Sequence, residues 1–174
     1  INTIGYDLYM KILSEAIAGE KGTVQKVKSD CTVDIAVSAY LPAEYVSHEE
    51  SRVDLYKKIA AIENDEDMAD VTDELCDRFG EPPQPTINLM RIAKLRGMAR
   101  LCGVDEIKQK GEAVLLYMKD GDPEHLIGAI KAFRGRLLLS DGARPYFTLR
   151  LQPQEDVIEA LQALIDYLNA PEKV

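Results

Sequence analysis

Cysteine is scarce and unpatterned in this chain. Cys31, Cys76 and Cys102 are odd in number, widely spaced and free of any CxxC, which argues against disulfide and zinc frameworks. A reducing, cytoplasmic setting suits such usage, and the thiols read as small core residues. Histidine is scarcer still: His48 and His125 lie far apart without metal-ligand spacing and read as surface or capping residues. Neither GxxxxGK[ST] nor GxGxxG occurs, so nucleotide binding has no handle, and no GxSxG elbow marks a serine nucleophile. No apolar run approaches the roughly 20 residues of a membrane-crossing helix. The first ten residues lack the basic-then-apolar order of a secretory signal. Positive charge is also short. Lys and Arg number 21 against 30 Asp and Glu, a net charge of -9, whereas modules that grip nucleic acid ordinarily present a basic face.

What is present suffices for one core, or a core with an extra terminal element: 174 residues, 46% hydrophobic and 29% charged. Ile4, Leu8, Ile12 and Ala16 repeat at helical spacing, and Gly19 and Gly22 close that helix. A polar connection through Ser29 and Asp30 follows, so the helix reads as the end of a preceding domain. Thr32–Leu41 alternates apolar and polar residues as a strand, with Pro42 ending it. Ser47 and Glu50 are spaced as a capping box before a helix over Val53, Tyr56, Ile59 and Ala60. Pro85 opens a long helix reaching Gly103. Two strands then flank Lys110-Gly111, a helix starts at Pro123 with Leu126, Ile127, Ile130 and Phe133, and Arg136–Leu139 pairs with Tyr146–Leu151. A helix over Gln154–Leu168 closes the chain. This order predicts an α+β fold in which a helical layer packs with short β-strands.

The stretch Asp65–Pro83 stands out. Met68, Val71, Leu75 and Phe79 form one apolar face of a helix. Gly80 sits where a left-handed cap residue belongs, and Pro82 and Pro83 forbid continuation. The opposite face carries Glu66, Asp70, Asp73 and Asp77, with Glu74 beside them. Acids late in a helix meet the negative end of its dipole at a cost of a few tenths to about 1 kcal/mol each. Asp73, Glu74 and Asp77 are so placed, with Arg78 the only base near in sequence. Local helix physics does not ask for this arrangement; a basic partner surface does. A solvated face with Glu74 paired to Arg78 is the plainer alternative.

Other candidates are weaker. Asp120-Gly-Asp reads as a turn, because the remaining ligands of a calcium loop are missing. Arg91, Lys94, Arg96 and Arg100, with Arg134 and Arg136, read as solvated charge. Asp77 or Glu74 as a catalytic base has no nucleophile or metal beside it in the sequence.

The run E-L-C-D-R-F-G-E-P-P at 74–83 resembles the E-L-x-D-R-F-G-x-x-P motif of the C-terminal domain of bacterial transcription-repair coupling factors. Tyr40-Leu-Pro-Ala-Glu-Tyr-Val, Arg52 with Leu55-Tyr-Lys-Lys-Ile-Ala, and Leu89-Met-Arg-Ile-Ala-Lys-Leu-Arg through Leu101-Cys-Gly-Val resemble neighbouring blocks in the same order. Ile4–Ala16 is similar to the tail of the preceding translocase domain. The likeness runs to about residue 120 and is weaker beyond; His48 departs from it, standing where the family pattern carries an acid. The resemblance implies residues 1–28 as translocase tail and linker, and 29–174 as a regulatory domain. It implies no catalysis and no cofactor here, ATP and Mg belonging to the translocase part of the full-length protein. The implied partner is the UvrA-binding domain of the same polypeptide, masked at rest, with UvrA and RNA polymerase engaged indirectly. No direct nucleic-acid or membrane contact is implied. Asp70, Asp73, Glu74 and Asp77 are then the partner-binding residues, and Arg78, Phe79, Gly80 and Pro83 the structural motif. An interaction module for some other basic protein remains the alternative.

Overall fold

The strand expected over Thr32–Leu41 forms only in part. In the computed structural model, which describes residues 31–119 and 123–170, strand β1 covers Thr32–Asp34 alone. The helix expected over Ile4–Ala18 and the Asp120-Gly-Asp turn lie outside the described residues. Beyond β1 the alternation persists as burial, with Ala39 and Leu41 inside and Ser38 exposed. The backbone partners, however, are not a strand. Tyr40 N–H donates to the Pro85 carbonyl at 3.2 Å, while Thr86 Oγ1 donates to the Tyr40 carbonyl and Asn88 Nδ2 to the Ser38 carbonyl, each at 3.1 Å. The start of a helix satisfies this extended segment, so no ladder is needed.

The described residues form two compact units, one over 36–94 and the other over 31–35 with 95–170. The first is helical. Helix α1, Glu49–Ala60, buries Leu55, Tyr56 and Ile59. The Ser47–Glu50 capping box does not form: the helix begins one residue late for it, with His48 as N-cap making no side-chain cap bond. Glu49 and Glu50 in the first turn and Lys57 and Lys58 in the last complement the dipole instead. Helix α2 is Asp65–Phe79 and helix α3 is Gln84–Leu101, the latter giving its part up to Lys94 to this unit and the rest to the other.

The basic residues of α3 are not all solvated. Leu89, Met90, Ile92, Ala93, Leu95 and Ala99 are buried on several sides of the helix, which leaves little room for a polar face. Arg96 is only 7% exposed, and Lys94 reaches Asp65 at 2.7 Å. Their long apolar stems make such burial possible.

The second unit is a five-stranded sheet in the order β1-β2-β3-β5-β4. β2 is Val104–Lys110, β3 Ala113–Met118, β4 Leu137–Ser140 and β5 Tyr146–Arg150; β1 runs parallel to β2 and the other pairs are antiparallel. Register aligns Val33, Ile107, Leu116 and Phe147 across four strands, all buried, as are Val114, Leu149 and Leu137 on the same face. Helix α4, Pro123–Ala132, packs against β4 and against helix α5, Val157–Asn169. Ala129 is its buried residue and Ile127 is 51% exposed, contrary to the expected apolar face. The close approach falls at Gly128, where an added Cβ would stand 2.7 Å from the Tyr167 hydroxyl. The Asp156 carboxylate accepts from the Ile158 and Glu159 amides to cap α5, three residues after the expected start at Gln154.

Arg136 also finds a local role. Its guanidinium donates to Glu155 and, at 3.2 Å, to the Arg150 carbonyl. The hydrogen bond from Arg136 holds the Glu155 carboxyl below its ordinary value of 4.5. A depressed folded-state pKa stabilises the fold above the unfolded value and stops doing so as pH falls through the folded one. Glu155→Gln is therefore expected to lower stability at pH 7 by a few tenths to about 1 kcal/mol, solvent screening limiting the pair. Urea unfolding at neutral and acid pH checks this: the gap should close as pH drops below the ordinary carboxylate range, and a constant gap would refute the linkage.

Candidate protein-docking face

Helix α2 starts on Asn64, whose side chain accepts from the Asp67 amide at 2.8 Å, while Asp67 Oδ2 accepts from the Glu63 amide at 3.0 Å. Its apolar stripe points inward as expected, with Leu75 fully buried and Met68, Val71 and Phe79 half-buried. On the other side, Glu66, Asp70, Asp73 and Asp77 are exposed. At roughly 100° per residue they share an arc of about 60°. Among the described residues, none of the ion pairs formed reaches Asp70, Asp73 or Asp77. Sequence spacing thus locates three of the four expected contact residues on one open face.

Glu74 differs. It sits at the edge of that face, and its Oε1 takes Lys58 Nζ of α1 at 2.6 Å, with Arg78 farther off at 3.9 Å. Arg78 is therefore not its only nearby base. Both ends of the Lys58–Glu74 pair stay in solvent contact, with side-chain exposures of 49% and 32%, so the pair is exchangeable.

The helix end is built differently from a left-handed cap. Gly80 has φ +82° and ψ -170°, an extended conformation at positive φ. A proline at 82 biases Glu81 away from helical angles, so the chain straightens as it leaves the helix, with Gly80 as pivot. Gly80 N–H donates to the Cys76 carbonyl at 3.1 Å, and the Tyr45 hydroxyl donates to the Gly80 carbonyl at 2.7 Å. Tyr45 also meets the Phe79 ring edge-on at 5.8 Å, and the Arg78 guanidinium lies 4.9 Å from the centre of that ring. Burial, with Cys76 adding to it, raises the Tyr45 phenol above its ordinary value. The Pro83 carbonyl accepts from the Thr86 and Ile87 amides, starting α3. Arg78, Phe79, Gly80 and Pro83 are the joint between two helices. Tyr45, far upstream of them, carries no signal of this role in the motif itself.

The cysteines split: Cys31 is buried, Cys102 half-buried and Cys76 exposed on α2, so the expectation of three core residues fails at Cys76. Burial pushes the Cys102 thiol up to about 11. His125 Nε2 lies 3.1 Å from the Tyr167 carbonyl, a local packing role. Among the described residues no group of three or more His, Cys, Asp or Glu is placed to hold a metal ion, and no helix is long and apolar enough to cross a membrane.

These elements define an α+β domain whose acidic helix is fixed at its C-terminal end by a glycine–tyrosine joint. The TRCF domain family matches residues 35–127, and the chain belongs to that family. Over 172 residues it is 30% identical to the transcription-repair-coupling factor of Staphylococcus aureus (strain USA300), a span of 95% of this chain and 15% of that protein. Against the same factor of Staphylococcus epidermidis (strain ATCC 12228 / FDA PCI 1200) identity is 34% over 130 residues, 74% of this chain and 11% of that one. The crystal structure of the C-terminal domain of transcription-repair coupling factor shares the fold, with a TM-score of 0.73 at 20% identity, covering 80% of this chain and 91% of that one. The chain thus spans about an eighth of the length of these curated relatives.

Proposed function

We propose that this chain is a non-catalytic regulatory domain that packs on the UvrA-binding domain of its own polypeptide, masks it, and holds the translocase at rest in transcription-coupled nucleotide excision repair. Residues 1–28 are the tail of the translocase region and 29–174 the regulatory part. ATP and Mg serve the translocase, outside this chain. UvrA and RNA polymerase are engaged indirectly, in the cytoplasm. The observation that supports this most is the open face of Asp70, Asp73 and Asp77, exposed and outside every ion pair formed among the described residues. Asp77 stands in the last turn of α2, where the helix dipole opposes it. A basic partner supplies the missing compensation.

Titrating the chain against the UvrA-binding domain of its parent protein tests this. Binding is expected at low salt and should weaken as ionic strength rises, since exposed charges are screened beyond a Debye length of about 10 Å at 0.1 M. No binding at low salt, with both proteins folded, removes the proposal.

A further inference from the structure

One face of the five-stranded sheet, lined by Ile107, Leu116 and Phe147, is fully buried. The other face carries the alternate residues, among them Leu115 and Tyr117 of β3, Tyr146 and Thr148 of β5, and Leu138 of β4. An antiparallel sheet with one wet face normally places polar residues there. Here β3 is apolar or aromatic at every position from Ala113 to Met118, the pattern of a strand covered on both sides. Yet Leu138 is 57% exposed, and Leu115, Tyr117 and Tyr146 are only half-buried. Tyr117 and Tyr146 are level in register with ring centres 5.2 Å apart, and Leu115, Thr148 and Leu138 form the next row. A largely apolar strip thus crosses three strands.

Charge around the strip is sorted. At the tyrosine end, Arg144 lies 4.2 Å from the centre of the Tyr117 ring and donates to Glu106 at 2.9 Å and to Asp105 at 3.2 Å, so both acids there are engaged. Toward the other end, Lys108, Lys110 and Arg150 are exposed, and among the described residues none of the ion pairs formed reaches them. Asp34, level with Lys108, is the one further acid on the outer face of these strands. An extended segment laid on a sheet face would leave its backbone groups unpaired, whereas a helix satisfies its own.

We infer that this face receives an amphipathic helix of a partner protein. Its apolar stripe lies on Leu115, Tyr117, Tyr146 and Leu138, and acids along its border meet Lys108, Lys110 and Arg150. Such a helix supplies the second cover that the pattern of β3 calls for. The acidic helix α2, which asks for a basic partner, belongs to the other unit and plays no part in this contact.

The probe is a helical peptide of about 18 residues with a leucine stripe bordered by glutamates, titrated into the chain and followed by amide NMR. Its controls are the same peptide with lysines for glutamates, a scrambled version, and a thymidine oligonucleotide. The glutamate peptide should give saturable shifts at Leu115, Tyr117, Leu138 and Tyr146, and the lysine and scrambled peptides should leave these amides unmoved. Lys108→Gln with Arg150→Gln should weaken binding about three- to tenfold, as expected for two exposed ion pairs. Leu138→Ser should weaken it as well, and the exposure of Leu138 leaves the fold intact. No binding, shifts confined to other residues, or equal binding of the glutamate and lysine peptides overturns the inference. Tighter binding of the oligonucleotide on this face, or shifts at these residues that grow with protein concentration alone, overturns it in favour of a nucleic-acid strand or a second copy of the chain.

Discussion

Gly80→Ala should lower the unfolding free energy by about 1–3 kcal/mol, the cost of placing a side chain in a backbone region that only glycine occupies readily. For a chain of this size that corresponds to a fall in Tm of roughly 2–12 °C. The cause is conformational and not steric, since no atom lies within 4 Å of where the new Cβ would stand. Relaxing φ from +82° would relieve the strain but turn the Gly80 carbonyl away from the Tyr45 hydroxyl and its amide from the Cys76 carbonyl. Either route loses stability. Gly142→Ala is the control: it too has open space, its φ is not positive, and it should be neutral or slightly stabilising by restricting the unfolded chain. If Gly80→Ala melts with the wild type, the joint does not hold the conformation described above.

The joint also marks the limit of what sequence patterns disclose. That α2 ends at Phe79 follows from the stripe, the glycine and the two prolines, because each acts within a few residues. How it ends depends on Tyr45, which arrives from another part of the fold. The same distinction accounts for Thr32–Leu41: alternation reports which side chains are buried, and it did so correctly for Ala39 and Leu41, but it does not say whether a strand or a helix start satisfies the backbone. The Ser47–Glu50 spacing met a helix starting one residue too late, a boundary error of the usual size. In α3 the bases were misplaced because the helix is buried on several sides, and periodicity gives no direction in which solvent lies. The α+β class and the five-strand, five-helix order of the described residues were legible, because each element announces itself locally. At the candidate site, the shared exposed face of Asp70, Asp73 and Asp77 was legible from spacing alone. Glu74 was not, since its partner Lys58 comes from a different helix.

Replacing Glu74 and Asp77 together by alanine, in a full-length protein carrying this domain, should raise UvrA binding. Asp77 is exposed at the end of α2, outside every ion pair formed among the described residues, and has nothing in the domain to lose. Glu74 loses only exchangeable pairs with Lys58 and Arg78. Neither side chain belongs to the apolar stripe, so the fold should survive with a loss of a few tenths of a kcal/mol. Against a basic docking surface the same two carboxylates are worth from below 1 to several kcal/mol each, depending on how far docking excludes water. Every 1.4 kcal/mol lost from the proposed docking is about a tenfold shift toward the undocked state. The single variants separate the contributions: Asp77→Ala should act mainly through docking, whereas Glu74→Ala also releases Lys58 and so weakens electrostatic attraction less specifically. If Glu74 serves only to join Lys58 and Arg78, the double variant changes stability slightly and UvrA affinity not at all. Equal UvrA affinities for wild type and double variant, with both folded, would exclude Glu74 and Asp77 from the proposed masking.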